Sequence, residues 1–193
     1  MSRTDRLGTD PTNTAAATAR AASAASAGHE APAKGTAPLP PVVRSVRVAL
    51  PPAAAFDLFT QEMRVWWPFA GHSCGGEDSV DVQFEPRIGG AVTEIARNGE
   101  RWAWGTLTEW DPPHAFAMRW HPGLPTDQAT ALRVSFTPHG SGTEVQVHHG
   151  GWEARGAEAP AKRDQYDGGW PHTLHAFAEA AAGVAAAGTR RSE

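Results

Sequence analysis

The residues of this chain with chemistry to offer are its nine histidines, one cysteine, a few carboxylates and eight tryptophans. His149 continues a row of alternate residues with Val145 and Val147, which aims an imidazole at the covered side of a strand. Such a group can act as general acid or base, with Glu94 or Glu85 assisting, or it can be a hydrogen-bonded histidine of the core. The sequence sets neither an acid nor a nucleophile beside it, which favours the packing role and leaves His149 as the weak catalytic candidate. Glu85 and Arg87 flank Pro86 in a turn, where they make either a salt-bridged surface pair or a grip for the polar head of a ligand.

Metal and nucleophilic chemistry find less support. His172, His175 and Glu179 fall at i, i+3 and i+7 on a helix, a spacing that could offer ligands, but they lie off the Trp170/Leu174/Phe177 stripe and read as a solvated face. Adjacent His148 and His149 point to opposite faces of a strand and cannot chelate together. No metal and no cofactor are expected. Cys74, in HSCGG, would need a histidine base near it in space and reads as an ordinary thiol. A GxGxxG phosphate loop is absent, and the Gly-Gly pairs follow turn logic.

The tryptophans all fall between Trp66 and Trp170. A buried indole gives a large apolar face and an N–H that wants a partner, so each can be core or cavity wall. Of Trp66 and Trp67, one is expected to face out of the core. Trp102, Trp104 and Trp110 share parity, which makes one face of their strand strongly aromatic, and Gly105 marks a bulge or sharp bend beside Trp104.

The elements that must position these side chains are legible from periodicity. VVRSVRVAL, from Val42, reads as a first strand that Pro51 and Pro52 end. A helical region follows, with Phe56, Phe59, Met63 and Trp66 or Trp67 on one face and Pro68 closing it. From Ser79 the period switches to two through six successive strands. They are SVDVQFE with Val80, Val82 and Phe84 on one face, AVTEIAR, RWAWGTLTEW, HAFAMRW, TALRVSFTP and GTEVQVHH. PRIGG and Asn98-Gly99 supply turns, and Asp111-Pro112-Pro113 ends the third of these strands. A polar Gly- and Ala-rich connection after Trp152 leads to Gly169-Trp170-Pro171, which opens a long helix with Trp170, Leu174, Phe177, Ala178, Ala181 and Val184 as its stripe, and Gly188 stops it.

One strand, a helical region, six strands and a long helix predict an α+β, helix-grip architecture: a curved antiparallel sheet of about seven strands wrapped around the C-terminal helix, with space enclosed between them. Residues 1–38, rich in Ala, Thr, Ser and Pro, predict a disordered tail; 39–187 form the folded domain and 188–193 a polar end. The totals narrow the function classes. A net charge of −4 and a pI near 6.1 give no basic footprint for nucleic acid. One cysteine allows no intrachain disulfide, and no apolar run long enough for a membrane span or a secretory signal is present, so a cytoplasmic location is expected.

Five segments in order carry a family resemblance: FDLFT followed by WWP (Phe56–Thr60, Trp66–Pro68), FEPRIGG (Phe84–Gly90), WGTLTEWDPP (Trp104–Pro113), GTEVQVHHGGW (Gly142–Trp152) and GGW with Leu174 beyond it. On these the chain resembles the homologues of the heat-shock protein 90 ATPase activator, within the SRPBCC superfamily (START, polyketide cyclase, Bet v 1-like), over about residues 42 to 187. The resemblance implies a helix-grip fold whose cavity holds an apolar or amphipathic small molecule, and it implies no cochaperone activity. The expected reading is a binding module for a small hydrophobic or aromatic ligand, with Trp66, Trp67, Phe84, Trp104, Trp120, His149, Trp170 and Leu174 as walls. The alternatives are an enzyme of cyclase, dehydratase or hydrolase type in the same cavity, and a cochaperone-like or regulator-associated protein whose protein partner the sequence does not identify.

Overall fold

The computed structural model describes residues 38–191, so the tail expected to be disordered falls, up to residue 37, outside the described residues. Strand β1 (Val42–Val48) leads into helix α1 (Pro52–Gln61), whose first residue is a proline that costs the helix nothing at that position. Two single turns, α2 (Met63–Trp66) and α3 (Phe69–His72), complete the helical region. Then come β2 (Ser79–Phe84), β3 (Ala91–Ala96), β4 (Arg101–Asp111), β5 (Ala115–Trp120), β6 (Thr130–His139) and β7 (Gly142–Gly150). They form one antiparallel sheet in the order β1-β7-β6-β5-β4-β3-β2, a meander onto whose last strand the first one is added. A 3₁₀ segment (Trp152–Glu158) joins it to helix α4 (Ala159–Arg191).

Every strand turns one row inward. Val82 and Phe84, Val92 and Glu94, Phe116, Met118 and Trp120, Leu132, Val134 and Phe136, and Val145, Val147 and His149 share the concave face. The predicted row of Val80, Val82 and Phe84 needs one correction. A bulge between Ser79 and Asp81 breaks the alternation, so Ser79 is buried and Val80 faces solvent.

Strand β4 contains two such slips. Its pairing with β3 skips Trp104, and its pairing with β5 skips Thr108. Each slip reverses parity, so the inward positions become Trp104, Leu107 and Trp110; two reversals restore Trp110 to the face of Trp102 and Trp104. The second residue of the first bulge is Gly105. A β-carbon there would stand 2.2 Å from the Arg119 carbonyl oxygen, so the bend that tips Trp104 inward requires glycine.

Helix α1 fills one half of the concavity. Phe56 and Phe59 pack edge-on and tilted against Phe116 and Phe136, and Phe59 and Trp66 meet Phe177 of α4. Burying each phenyl ring is worth roughly 1.5–3 kcal/mol. Both Trp66 and Trp67 are buried, against the expectation that one faces out of the core, because α2 ends between them and sends their rings to different neighbours.

Helix α4 departs most from expectation. It begins at Ala159 with Pro160 in its first turn, ten residues before the expected start, and runs through Pro171 and Gly188 to Arg191. Of the predicted stripe, Trp170, Leu174, Phe177 and Ala181 are buried and Ala178 is partly buried, Thr173 joins them unpredicted, and Val184 is 45% exposed. Asp167 ties the helix to the sheet through ion pairs with Arg44 of β1 and Arg163 of its own turn. Among the described residues, no helix is long and apolar enough to cross a membrane.

Candidate functional site

The half of the concavity that α1 leaves empty is a cavity of about 390 Å³. Its back wall is aromatic: Trp67 after α2, Trp120 at the end of β5, and Tyr166 and Trp170 on α4. His72 at the end of α3, with Ser73 and Cys74 after it, forms one lip, and Pro122 and Leu124 after β5 another. Arg155, Lys162 and Gln165 close the end where α4 begins. The volume lies in the range that houses small organic ligands, and an apolar wall with a few convergent polar groups is how such sites are built.

Of the eight expected walls, the structure brings Trp67, Trp120 and Trp170 to the cavity surface. Trp104 and Trp66 stand one layer behind, their ring centroids 4.9 and 5.5 Å from that of Trp67. Leu174 and Phe84 belong to the packed core, Phe84 against Trp110 and Phe116. The turn pair Glu85–Arg87, 2.8 Å apart, is exposed and away from the cavity lining.

His149 also lies behind the wall, fully buried, and its hydrogen bonds determine its protonation. The Trp170 indole is only a donor and gives its N–H to Nδ1 at 3.1 Å, so Nδ1 is unprotonated and Nε2 carries the hydrogen. Nε2 then donates to the Thr130 hydroxyl at 2.8 Å, and that hydroxyl donates to the Trp120 carbonyl. Burial, with a smaller contribution from His148, pushes the imidazole pKa down to about 3. A neutral ring with both nitrogens engaged has no lone pair left to take a proton from a ligand. It locks β7, β5 and α4 behind the aromatic wall.

Glu94 is the other buried polar group of consequence. Its carboxylate accepts the backbone N–H groups of Cys74 and Gly75 at 2.8 Å, the Trp104 indole N–H at 2.5 Å, and the Ser79 hydroxyl. Burial alone would raise its pKa, but these four donors outweigh burial and hold the carboxyl below the usual carboxylate range. So engaged, Glu94 cannot serve as the proton-transferring assistant considered from sequence. It anchors the lip that carries Ser73 and Cys74. Cys74 is exposed at the lip, yet partial desolvation there, and next the adjacent Glu94, push its thiol up to about 12, which removes it as a nucleophile near neutrality.

Tyr166, Arg155 and Lys162, which the sequence reasoning missed, complete the site. Trp120 donates its indole N–H to the Tyr166 oxygen at 2.8 Å, which orients the phenol with its own hydrogen free to donate. Burial raises the Tyr166 pKa, so the phenol stays protonated. The Arg155 side chain is only 8% exposed, and its buried Nε–H has no hydrogen-bond partner. Its guanidinium reaches Glu158 at 3.4 Å, and Glu158 itself is 67% exposed. Leaving a buried donor unpaired costs about 1–3 kcal/mol. The helical stripe Lys162, Tyr166, Trp170, Thr173 was the signal available, hidden because the segment read as a connection.

The histidines considered for metal lie elsewhere. His175 pairs with Glu179 at 3.5 Å on the exposed face of α4, and His172 stacks on His72 at 5.1 Å between ring centroids at the lip. Among the described residues, no group of three or more His, Cys, Asp or Glu side chains is placed to hold a metal ion.

The sequence profile of the family described as "Activator of Hsp90 ATPase homolog 1-like protein" matches residues 49–182. No curated protein matches the sequence. Among solved structures, the chain is similar to Txn09, an anthrahydroquino-γ-pyrone synthase solved as a complex, with 34% identity, 74% of this chain and 97% of that chain covered, and a TM-score of 0.52. It is also similar in fold to the protein MLL2253 from Mesorhizobium loti, at 15% identity, 72% and 94% coverage and a TM-score of 0.55. The Aha1 dimer from Colwellia psychrerythraea matches at 13% identity, 74% and 96% coverage and a TM-score of 0.52.

Proposed function

Because the chain belongs to the family of activator of Hsp90 ATPase homologue 1-like proteins, and so carries a ligand-binding fold, we propose that it binds a small aromatic molecule in the cavity between its sheet and α4. The observation that carries this reading is the wall of Trp67, Trp120, Tyr166 and Trp170 around about 390 Å³ of space. Flat aromatic rings stack on such a wall in offset or edge-on geometry, and polar groups confined to the lip and to one end would fix their orientation. The 34% identical anthrahydroquino-γ-pyrone synthase, which acts in the same fold, supports a fused aromatic ring system as the occupant.

The test is a titration of tryptophan fluorescence with 1,4-dihydroxyanthraquinone. Three tryptophans line the cavity and two more touch them, so quenching should saturate at one equivalent. Gly169 lies on the cavity side of α4, and a β-carbon there meets nothing nearer than His72 at 3.8 Å. Gly169→Leu therefore projects a side chain into the mouth and should weaken binding at least tenfold while leaving the protein folded. A flat titration of the folded parent protein contradicts the reading.

The same similarity favours a second reading, in which the cavity closes a ring on its ligand. A γ-pyrone fused to an arene forms when a phenolic oxygen adds to the distal carbonyl of a neighbouring 1,3-diketone. The phenol loses its proton, the carbonyl oxygen gains one, and the resulting hemiketal loses water to give the ring. Tyr166, held protonated by burial, can donate to the carbonyl oxygen, and His72, at the lip, can receive the phenol proton. Conversion of 1-(2-hydroxyphenyl)butane-1,3-dione to 2-methylchromone, followed by absorbance, tests this reading. Acceleration that Tyr166→Phe abolishes supports it, and a rate equal to buffer alone contradicts it.

A further inference from the structure

We infer that the ligand of this cavity carries an anionic oxygen, a carboxylate or an ionised phenol, seated against Arg155 and Lys162 where α4 begins. This rests on the reading of the cavity as a small-molecule site.

Charge within the cavity points this way. Arg155 and Lys162 are both on its lining, and no aspartate or glutamate is. The chain as a whole is acidic, with a net charge of −4, so a lining with two cations and no acid departs from the rest of the molecule. Neither nearby acid stands on the lining: Glu158, its side chain 67% exposed, makes an exposed pair with Arg155 itself at 3.4 Å, and Glu94 is bound to four other donors behind Cys74.

The second observation is independent of charge. Arg155 has a side chain more than nine-tenths buried, and its Nε–H points to no acceptor. A guanidinium offers its donors in a planar fork that matches two oxygens of a carboxylate, or one phenolate oxygen with a second acceptor. An oxygen held by that fork is flanked by Lys162. The aromatic body of the ligand then lies toward Trp120 and Trp170, and the anion sets which end enters first.

The experiment compares two probes of one shape, anthraquinone-2-carboxylate and anthraquinone-2-carboxamide, titrated by fluorescence quenching into the parent protein, Arg155→Met, Arg155→Lys and Lys162→Met. The parent should bind the carboxylate at least tenfold more tightly than the carboxamide. That preference should shrink as salt is raised, vanish in Arg155→Met, fall partway in Lys162→Met, and survive in part in Arg155→Lys. The fall of the preference in Lys162→Met keeps the proposal testable if Arg155→Met fails to fold. Equal affinity for the two probes overturns the anion site while leaving the aromatic cavity standing. Binding of neither probe overturns the cavity reading and this inference with it.

Discussion

An indole can donate a hydrogen bond but not accept one, and from that the state of His149 follows. Trp170 forces Nδ1 to accept, so the ring is neutral, and burial keeps it so down to about pH 3. In the unfolded chain the same ring takes up a proton near pH 6.5. Between these values the unfolded state binds more protons than the folded one, so this contribution is complete above about pH 6.5 and is lost as the pH falls toward about 3. The unfolding free energy of the parent, from urea titrations, should therefore drop with acidification more steeply than that of His149→Gln, by at most about 1.4 kcal/mol per pH unit. Parallel curves would mean that the imidazole is not held neutral. Glu94 gives a companion prediction. Its depressed pKa makes its contribution complete above the ordinary carboxylate range and lost at lower pH. Glu94→Gln sets an amide donor against the existing donors and removes the charge beside Cys74. Iodoacetamide should then alkylate this single cysteine several-fold faster at pH 8, because the thiol pKa falls. An unchanged rate would contradict the anchoring role.

At the scale of elements, glycine and proline carried both the success and the failure of sequence reasoning. Gly105 was legible as a bend, and the structure shows why: β5 passes so close that only a hydrogen fits. Gly105→Ala should cost more than 2 kcal/mol by urea denaturation, since relieving the overlap must part β4 from β5; a loss below 0.5 kcal/mol would show that the strands yield freely. In α4 the same residue types misled. Gly169-Trp170-Pro171 read as a helix start, yet the chain was already helical from Ala159, held by the Asp167 ion pairs and by packing of Tyr166 and Trp170. Propensity is a weak prior that tertiary contacts override, and here it hid Arg155, Lys162 and Tyr166. Gly169→Leu tests this point as well as the cavity. In a true helix interior it should raise stability by up to about 1 kcal/mol, whereas destabilisation would mean that the backbone there is not helical.

At the scale of the molecule, the architecture was legible because each level agreed: alternation in seven strands, a striped helix, and punctuation between them. The candidate site was legible only in part. Alternation says which side chains face inward, but it does not say how deep each one sits. Trp104, His149 and Leu174 face inward and are walled off by a further layer, while Trp67, Trp120 and Trp170 reach the open space. That depth depends on where α1 ends its filling of the concavity, a property of the assembled domain. The central claim, an aromatic ligand in the half that α1 leaves open, is tested most directly by ¹H–¹⁵N correlation spectra of the eight indole N–H groups during addition of 1,4-dihydroxyanthraquinone. The account predicts saturable shifts of Trp67, Trp120 and Trp170, with Trp110, packed among Phe56, Phe84 and Phe116, left in place. Shifts confined to Trp110, or no shifts in a folded sample, would contradict it.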